Sequence, residues 1–148
     1  MNRALLLKKY QTYQTQGTAI FAVTLSTYVQ DDRYAAYDAD NMRRYWDHDF
    51  IYRVRTCLPM RAKIDHDWVL ERSPGGHYHY HGFLAVEQAH ATKLWCDGAL
   101  RSKLKRAIDS HATAGKYRGF CINAHLIEPV TNVAAWANYI TKQNQSYD

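Results

Sequence analysis

Three histidines stand at alternate positions in His77-Tyr78-His79-Tyr80-His81-Gly82-Phe83-Leu84, inside an otherwise apolar run. In a β-strand, alternate side chains share a face. The imidazoles therefore line up together, as ligands of one divalent ion must, while the tyrosines and Leu84 turn toward a core. With eight histidines in 148 residues, such a triple is expected about 0.02 times by chance, so the run reads as a site. A further ligand candidate lies just upstream. Ser73-Pro74-Gly75-Gly76 is a turn signal. If the loop is Pro74-Gly75-Gly76, with glycine in the left-handed position, Ser73 pairs with His77 and Glu71 falls opposite His79 on the same face. A loop of two or four residues reverses that parity. Glu71, His79 and His81 then offer one carboxylate and two imidazoles, with positions left open for substrate. Hard oxygen plus imidazole, without thiolate, suits Mn2+ or Mg2+ better than structural zinc. The plainer readings are a surface strand acid for Glu71 and an exposed strand end for His77.

A second element is Tyr139-Ile140-Thr141-Lys142. On a helix, Tyr139 and Lys142 are one turn apart and share a face. A tyrosine hydroxyl can attack a phosphodiester that a metal polarises, and a nearby lysine can neutralise the developing charge. Roughly 0.6 Tyr-x-x-Lys pairs are expected by chance in a chain of this composition, and a buried aromatic is the usual alternative. Position distinguishes this pair: it falls on a helix after the last strand, downstream of the histidine hairpin.

The elements that must position these residues follow from periodicity and turn chemistry. The first dozen residues read as a short polar helix or arm. Ile20 to Thr27 is β-branched and apolar, a buried strand. Asp40 to Thr56 carries Met42, Tyr45, Trp46, Phe50 and Val54 at roughly helical spacing and stops before Pro59. Asp67 to Glu71 is a short strand, and His77 to Val86 returns as the second strand of a hairpin. Glu87 to Ser110 reads as helical, broken near Asp97-Gly98, with bases opposite an apolar stripe. Phe120 to Ile127 is a strand, and Thr131 or Asn132 caps a last helix through Ile140. The order β-α-β-β-α-β-α is α+β, a ferredoxin-like or RRM-like split βαβ around a central antiparallel sheet. Crossover helices would cover one face and the last helix, carrying Tyr139, would lie by the other.

Composition bounds the rest. A length of 148 residues with 47% hydrophobic and 22% charged residues suits one domain, 1–148, with a proper core. No apolar run approaches a membrane span. Cys57, Cys96 and Cys121 are odd in number and far apart, which fits neither a disulfide framework nor a thiolate metal site and points to a reducing cytoplasm. The net charge of +5 leans toward an acidic partner. Arg101, Lys103, Lys105 and Arg106 concentrate it, and a basic block beside abundant tyrosine suits a nucleic acid, although a solvated helix face accounts for the charge alone equally well.

With these residues in place, the chain resembles the HUH endonucleases, most of all the single-tyrosine initiators of rolling-circle replication in plasmids and phages. The resemblance spans Ile20 to Lys142. Phe21-Ala22-Val23-Thr24-Leu25-Ser26 loosely matches the first family motif. His79-Tyr80-His81, followed by Gly82-Phe83-Leu84, matches the second, and Tyr139 with Lys142 matches the third. His77-Tyr78-His79 also fits the second motif, so the ligand pair could shift by two residues. The glycine after His81 favours His79 and His81. Gln143, not tyrosine, stands four residues after Tyr139, which disfavours two-tyrosine initiators.

The resemblance implies the following chemistry. Single-stranded DNA, from a hairpin or melted origin, crosses the sheet face. A metal on His79, His81 and Glu71 polarises the scissile phosphate. Tyr139 forms a 5′-phosphotyrosine link and frees a 3′-OH, and a later transesterification rejoins the strand. Lys142 assists electrostatically, and Arg101, Lys103, Lys105 and Arg106 are candidates for phosphate contacts. There is no Gly-x-x-x-x-Gly-Lys-Ser/Thr run, so unwinding falls to a separate helicase. Two neighbours share the chemistry: a single-tyrosine transposase, or a relaxase with Tyr10 or Tyr13 as nucleophile. A non-catalytic DNA-binding module on the same sheet is the rival of another class. A cupin would need a glutamate soon after His81 and an all-β chain.

Overall fold

The computed structural model describes residues 2–29, 45–72, 78–95, 102 and 120–142, with backbone alone at 26–29, 45, 49, 72, 78, 95 and 120–126. In chain order these form α1 (Arg3–Thr15), β1 (Ala19–Val29), a π-helical segment (Tyr45–Phe50) running into α2 (Ile51–Thr56), β2 (Ile64–Arg72), β3 (Tyr78–Val86), α3 (Gln88–Trp95), β4 (Phe120–Pro129) and α4 (Val133–Lys142). The four strands make one sheet in the order β2-β3-β1-β4, with every neighbouring pair antiparallel. The fold is α+β. Among the described residues no helix is long and apolar enough to cross a membrane.

Local chemistry sets the element ends. Asn2 caps α1 by accepting from the Ala4 and Leu5 amides at 3.0 and 3.2 Å. The chain leaves that helix through Gly17 at φ +76°, a left-handed conformation natural to glycine. Asn132, one of the two expected caps, accepts from the Ala135 amide at 2.9 Å and starts α4.

Alternation along β1 and β3 builds two cores, one on each face of the sheet. On one face Phe21, Val23, Leu25, Tyr80, Leu84 and Val86 pack against Trp46, Phe50 and Val54, and against Ala91 and Leu94 of α3. On the other, Ile20, Val69, Phe83 and Ala85 lie under Leu6 and Tyr10 of α1 and Val133, Ala137 and Ile140 of α4. The last helix thus takes the face opposite the crossover helices, as its sequence position implies. The N-terminal segment is no loose arm. Its Tyr10 is fully buried and stacks on Phe83 with ring centroids 4.0 Å apart.

Three strands run longer than their patterns suggest, β1 by spanning Ala19–Val29. β2 begins at Ile64 rather than Asp67, because its polar residues are satisfied from both sides. Lys9 reaches Asp65 and Asp67 at 2.8 and 2.7 Å, Tyr13 donates to Asp65 and Tyr10 to Asp67, and Trp46 donates to His66. β4 extends past Ile127 to Pro129 along β1. The expected helix over Glu87–Ser110 is seen as α3. Its continuation past Trp95, Ser102 apart, lies outside the described residues, as do the Ser73-Pro74-Gly75-Gly76 turn and the start of the Asp40–Thr56 helix.

Gly82 is closely packed on the Trp46 side of the sheet. A Cβ there would lie 2.6 Å from the Asp67 carbonyl oxygen and 2.8 Å from Cη2 of Trp46. The first is a backbone atom and the second belongs to a fully buried ring, so neither can yield cheaply. Gly82→Ala is expected to lower the unfolding free energy by about 2 kcal/mol, read from the shift of a urea midpoint; an unshifted midpoint would refute the close packing.

Nearby, the Trp46 indole donates to His66 Nδ1 at 3.0 Å, so this imidazole accepts and is neutral. Burial holds His66 below its ordinary 6.5, against the pull of Asp47, Asp65 and Asp67. As acid is added the unfolded chain binds this proton first. The His66 contribution to stability is therefore complete above 6.5 and is lost as pH falls from there toward the depressed folded value. Denaturation midpoints are expected to fall across that window. His66→Gln, whose amide oxygen still accepts from Trp46, should flatten part of the slope, and an unchanged slope would rule His66 out.

Candidate metal centre

β2, β3 and β1 bring the ligand candidates together by register alone. In the ladder Glu71 pairs with His79 and Val69 with His81, while Thr24 of β1 pairs with His81 from the other side. The parity is the one a Pro74-Gly75-Gly76 loop requires. Glu71, His79 and His81 share the face beneath α1 and α4, and their ligand atoms all lie within 4.8 Å of one another. Glu71 Oε2 is 2.9 Å from His79 Nε2 and 3.1 Å from His81 Nε2. The His79 contact is a hydrogen bond. The His81 contact is not aligned as one, so this buried Nε2 has no hydrogen-bond partner.

A buried, unpartnered imidazole nitrogen beside a carboxylate, on a residue only 5% exposed, fits a cation ligand better than it fits a finished protein core. Burial lowers the basicity of His81, the neighbouring His79 adds to this, and Glu71 opposes it incompletely. The imidazole is therefore neutral near pH 7, as a ligand must be. The three donors fit a divalent ion. On the opposite edge of His81, Thr24 Oγ1 lies 3.2 Å from Nδ1.

α4 delivers an aromatic pair to the same place. Trp136 donates its indole N–H to the Gly82 carbonyl at 2.9 Å, which ties the helix to the residue after His81. Tyr139, one turn on, stacks on Trp136 at 5.2 Å with planes 16° apart. Its ring stands edge-on to His81 at a centroid distance of 5.1 Å. Tyr139 as a whole is 44% exposed, so the residue is open to solvent. Lys142 follows on the same helix and is exposed.

Other sequence candidates fall elsewhere. Tyr10 and Tyr13 are engaged as donors to Asp67 and Asp65. Burial first and then Asp67 push the Tyr10 phenol far above its ordinary value, and the Asp65 hydrogen bond raises Tyr13, so both make poor nucleophiles. His77, Arg101, Lys103, Lys105 and Arg106 lie outside the described residues, as does the side chain of His125. Trp136 drew no attention in the sequence as a site residue, although its spacing of three from Tyr139 was there to be read.

No family model matches the chain, and no curated protein matches it. Among solved structures the chain is similar to "a putative aminohydrolase from methicillin resistant Staphylococcus aureus", at a TM-score of 0.41 and 10% identity. The match covers 88% of this chain but 36% of that one, and a likeness this slight carries no argument.

If Glu71, His79 and His81 hold a divalent ion, Mn2+ at a hundredfold its Kd is expected to stabilise the fold by about 2.7 kcal/mol. The readout is a rise in Tm that EDTA reverses and His81→Ala abolishes. A wild-type Tm indifferent to Mn2+ would remove the metal reading.

Proposed function

We propose that this protein is a metal-dependent single-stranded DNA nickase of the HUH type, which cuts and rejoins through a covalent 5′-phosphotyrosine link and so initiates rolling-circle replication. The observation that carries the reading is the 5.1 Å edge-on approach of the Tyr139 ring to His81, inside a Glu71–His79–His81 donor cluster. A partly exposed phenol beside a candidate cation is what phosphoryl transfer to tyrosine needs. The strand order β2-β3-β1-β4, with helical segments between β1 and β2 and between β3 and β4, supports a ferredoxin-like split βαβ with the nucleophile on the C-terminal helix.

A divalent ion on Glu71, His79 and His81, Mn2+ or Mg2+ by the hardness of the donors, supplies Lewis-acid polarisation of a phosphodiester oxygen. The chain's own residues do the rest. The Tyr139 hydroxyl loses its proton and its oxygen bonds to phosphorus. The P–O3′ bond breaks, and the 3′ oxygen leaves and takes up a proton as a free 3′-OH. Reversal by an incoming 3′-OH frees Tyr139 and rejoins the strand. Stacking on Trp136 and the Gly82 hydrogen bond orient the phenol. Lys142, one turn further along α4, neutralises charge that develops on the phosphoryl group. Arg101, Lys103, Lys105 and Arg106 are the candidates for holding the DNA backbone. The partners this reading calls for are single-stranded or hairpin DNA at an origin and a separate helicase.

Incubation with a diverse pool of single-stranded oligonucleotides and Mn2+, followed by a denaturing gel, tests the proposal. A covalent protein–DNA band is expected that vanishes with Tyr139→Phe and with EDTA. A band that survives Tyr139→Phe would assign the nucleophile elsewhere. Salt-sensitive DNA binding with no band would favour a binding module.

A further inference from the structure

We infer that Thr24 is a positioning residue of the metal centre, whose hydroxyl oxygen accepts the Nδ1 proton of His81 and so presents the Nε2 lone pair beside Glu71. The inference rests on the metal-centre reading and concerns a residue to which that reading gives no role. Thr24 and His81 are directly paired in the β1–β3 ladder, where side chains on one face stand close enough to interact. Their Oγ1 and Nδ1 are 3.2 Å apart. The partner of His81 on its other side is Val69, which has no polar side-chain atom. Besides Glu71, the ring meets the aromatic rings of Trp136, Tyr139 and His79 among the described residues.

Two neutral tautomers are available to His81, and the surroundings separate them. With the proton on Nε2, the ring would bury an N–H that makes no aligned hydrogen bond, because Nε2 has none. With the proton on Nδ1, the N–H meets Thr24 Oγ1, and Nε2 turns a lone pair toward the place where Glu71 Oε2 already stands at 3.1 Å. Two acceptors so apposed repel unless a cation lies between them. One hydroxyl thus selects the metal-ready tautomer, and a ligand histidine generally needs such a partner on its other nitrogen.

Thr24 is suited to hold this position. Its β-branched side chain is stiff at χ1, and its strand lies between β3 and β4, so its backbone is paired on both sides, with His81 and with Leu126. This gives a physical reason for a threonine inside the Phe21–Ser26 strand, whose other alternate positions, Phe21, Val23 and Leu25, face the core.

Mn2+ titration of the wild type, Thr24→Val and Thr24→Ser, with no DNA present, tests the assignment. Thr24→Val is close to isosteric and suits a strand, and a urea midpoint verifies that it folds. It is expected to bind Mn2+ about tenfold more weakly or worse, while Thr24→Ser, which keeps the hydroxyl, recovers most of the affinity. Nitrogen-15 correlation spectra of the metal-free wild type are expected to show His81 protonated at Nδ1. Unchanged Mn2+ affinity in Thr24→Val, or a wild-type His81 protonated at Nε2, would overturn the role of Thr24 and leave the metal centre standing. A wild type that binds no Mn2+ would overturn both.

Discussion

The period-two alternation of β3 is the constraint on which the rest of the structure depends. It commits Tyr80, Gly82, Leu84 and Val86 to one face and His79, His81, Phe83 and Ala85 to the other. The first set meets Trp46 and the crossover helices, apart from Gly82, which offers the ring only its bare Cα side. The second set meets α1 and α4, so the imidazoles are buried only as far as the two outer helices allow. A slip of one residue would send both histidines into the Trp46 core and Tyr80 under α4. The site is therefore specified as strongly as the core is, because the same register sets both.

The link between Tyr139 and the donor cluster runs through one residue. Gly82 admits Trp46 against one face of the sheet, while its carbonyl receives the Trp136 indole of α4. Trp136 then carries Tyr139 by stacking. α4 owes its seat to Val133, Ala137 and Ile140, which pack on the sheet, but apolar packing is tolerant of small slides. The directional Trp136 hydrogen bond removes that freedom and sets the distance of the phenol from His81. Rigid strands hold the donor cluster and a pinned helix holds the tyrosine, the arrangement that precise chemistry requires.

Much of this was legible in the residues. The His79-x-His81 alternation, the opposition of Glu71 to His79 and the start of α4 at Asn132 each follow from short-range rules, period two, loop parity and capping, that tertiary context left intact. The length of β2 was not legible, because Asp65 and His66, just before the expected start at Asp67, look like residues outside a strand. Only the arrival of Lys9, Tyr13, Tyr10 and Trp46 from distant parts of the chain makes them strand residues. The burial of α1 was hidden for the same reason. Its stripe is short, Leu6 and Tyr10, and its remaining attachment is polar and long-range. The contact of Thr24 with His81 depends on which strands are neighbours, a property that no local pattern carries.

The strand β2 carries three carboxylates on the face of the site, Asp65, Asp67 and Glu71, and the contrast among them is informative. Asp65 and Asp67 share the Lys9 ammonium and each accepts a tyrosine hydroxyl. Burial alone would raise the Asp65 carboxyl, but Lys9 and Tyr13 outweigh it and hold it below the usual range. Lys9 is in turn held above its ordinary value, since its hydrogen bonds with both aspartates outweigh the effect of burial. One ammonium against two carboxylates leaves a single negative charge there, but the hydrogen bonds are made from within the chain and clasp α1 to the sheet. Glu71, by contrast, meets only His79 and His81 among the described residues, and burial keeps His81 from taking up the balancing proton. The same strand thus meets a lysine at one end and only imidazoles at the other. A buried polar atom without a hydrogen-bond partner is costly unless a cation satisfies it, and the imidazole that carries it, His81, is the one the Tyr139 ring meets edge-on.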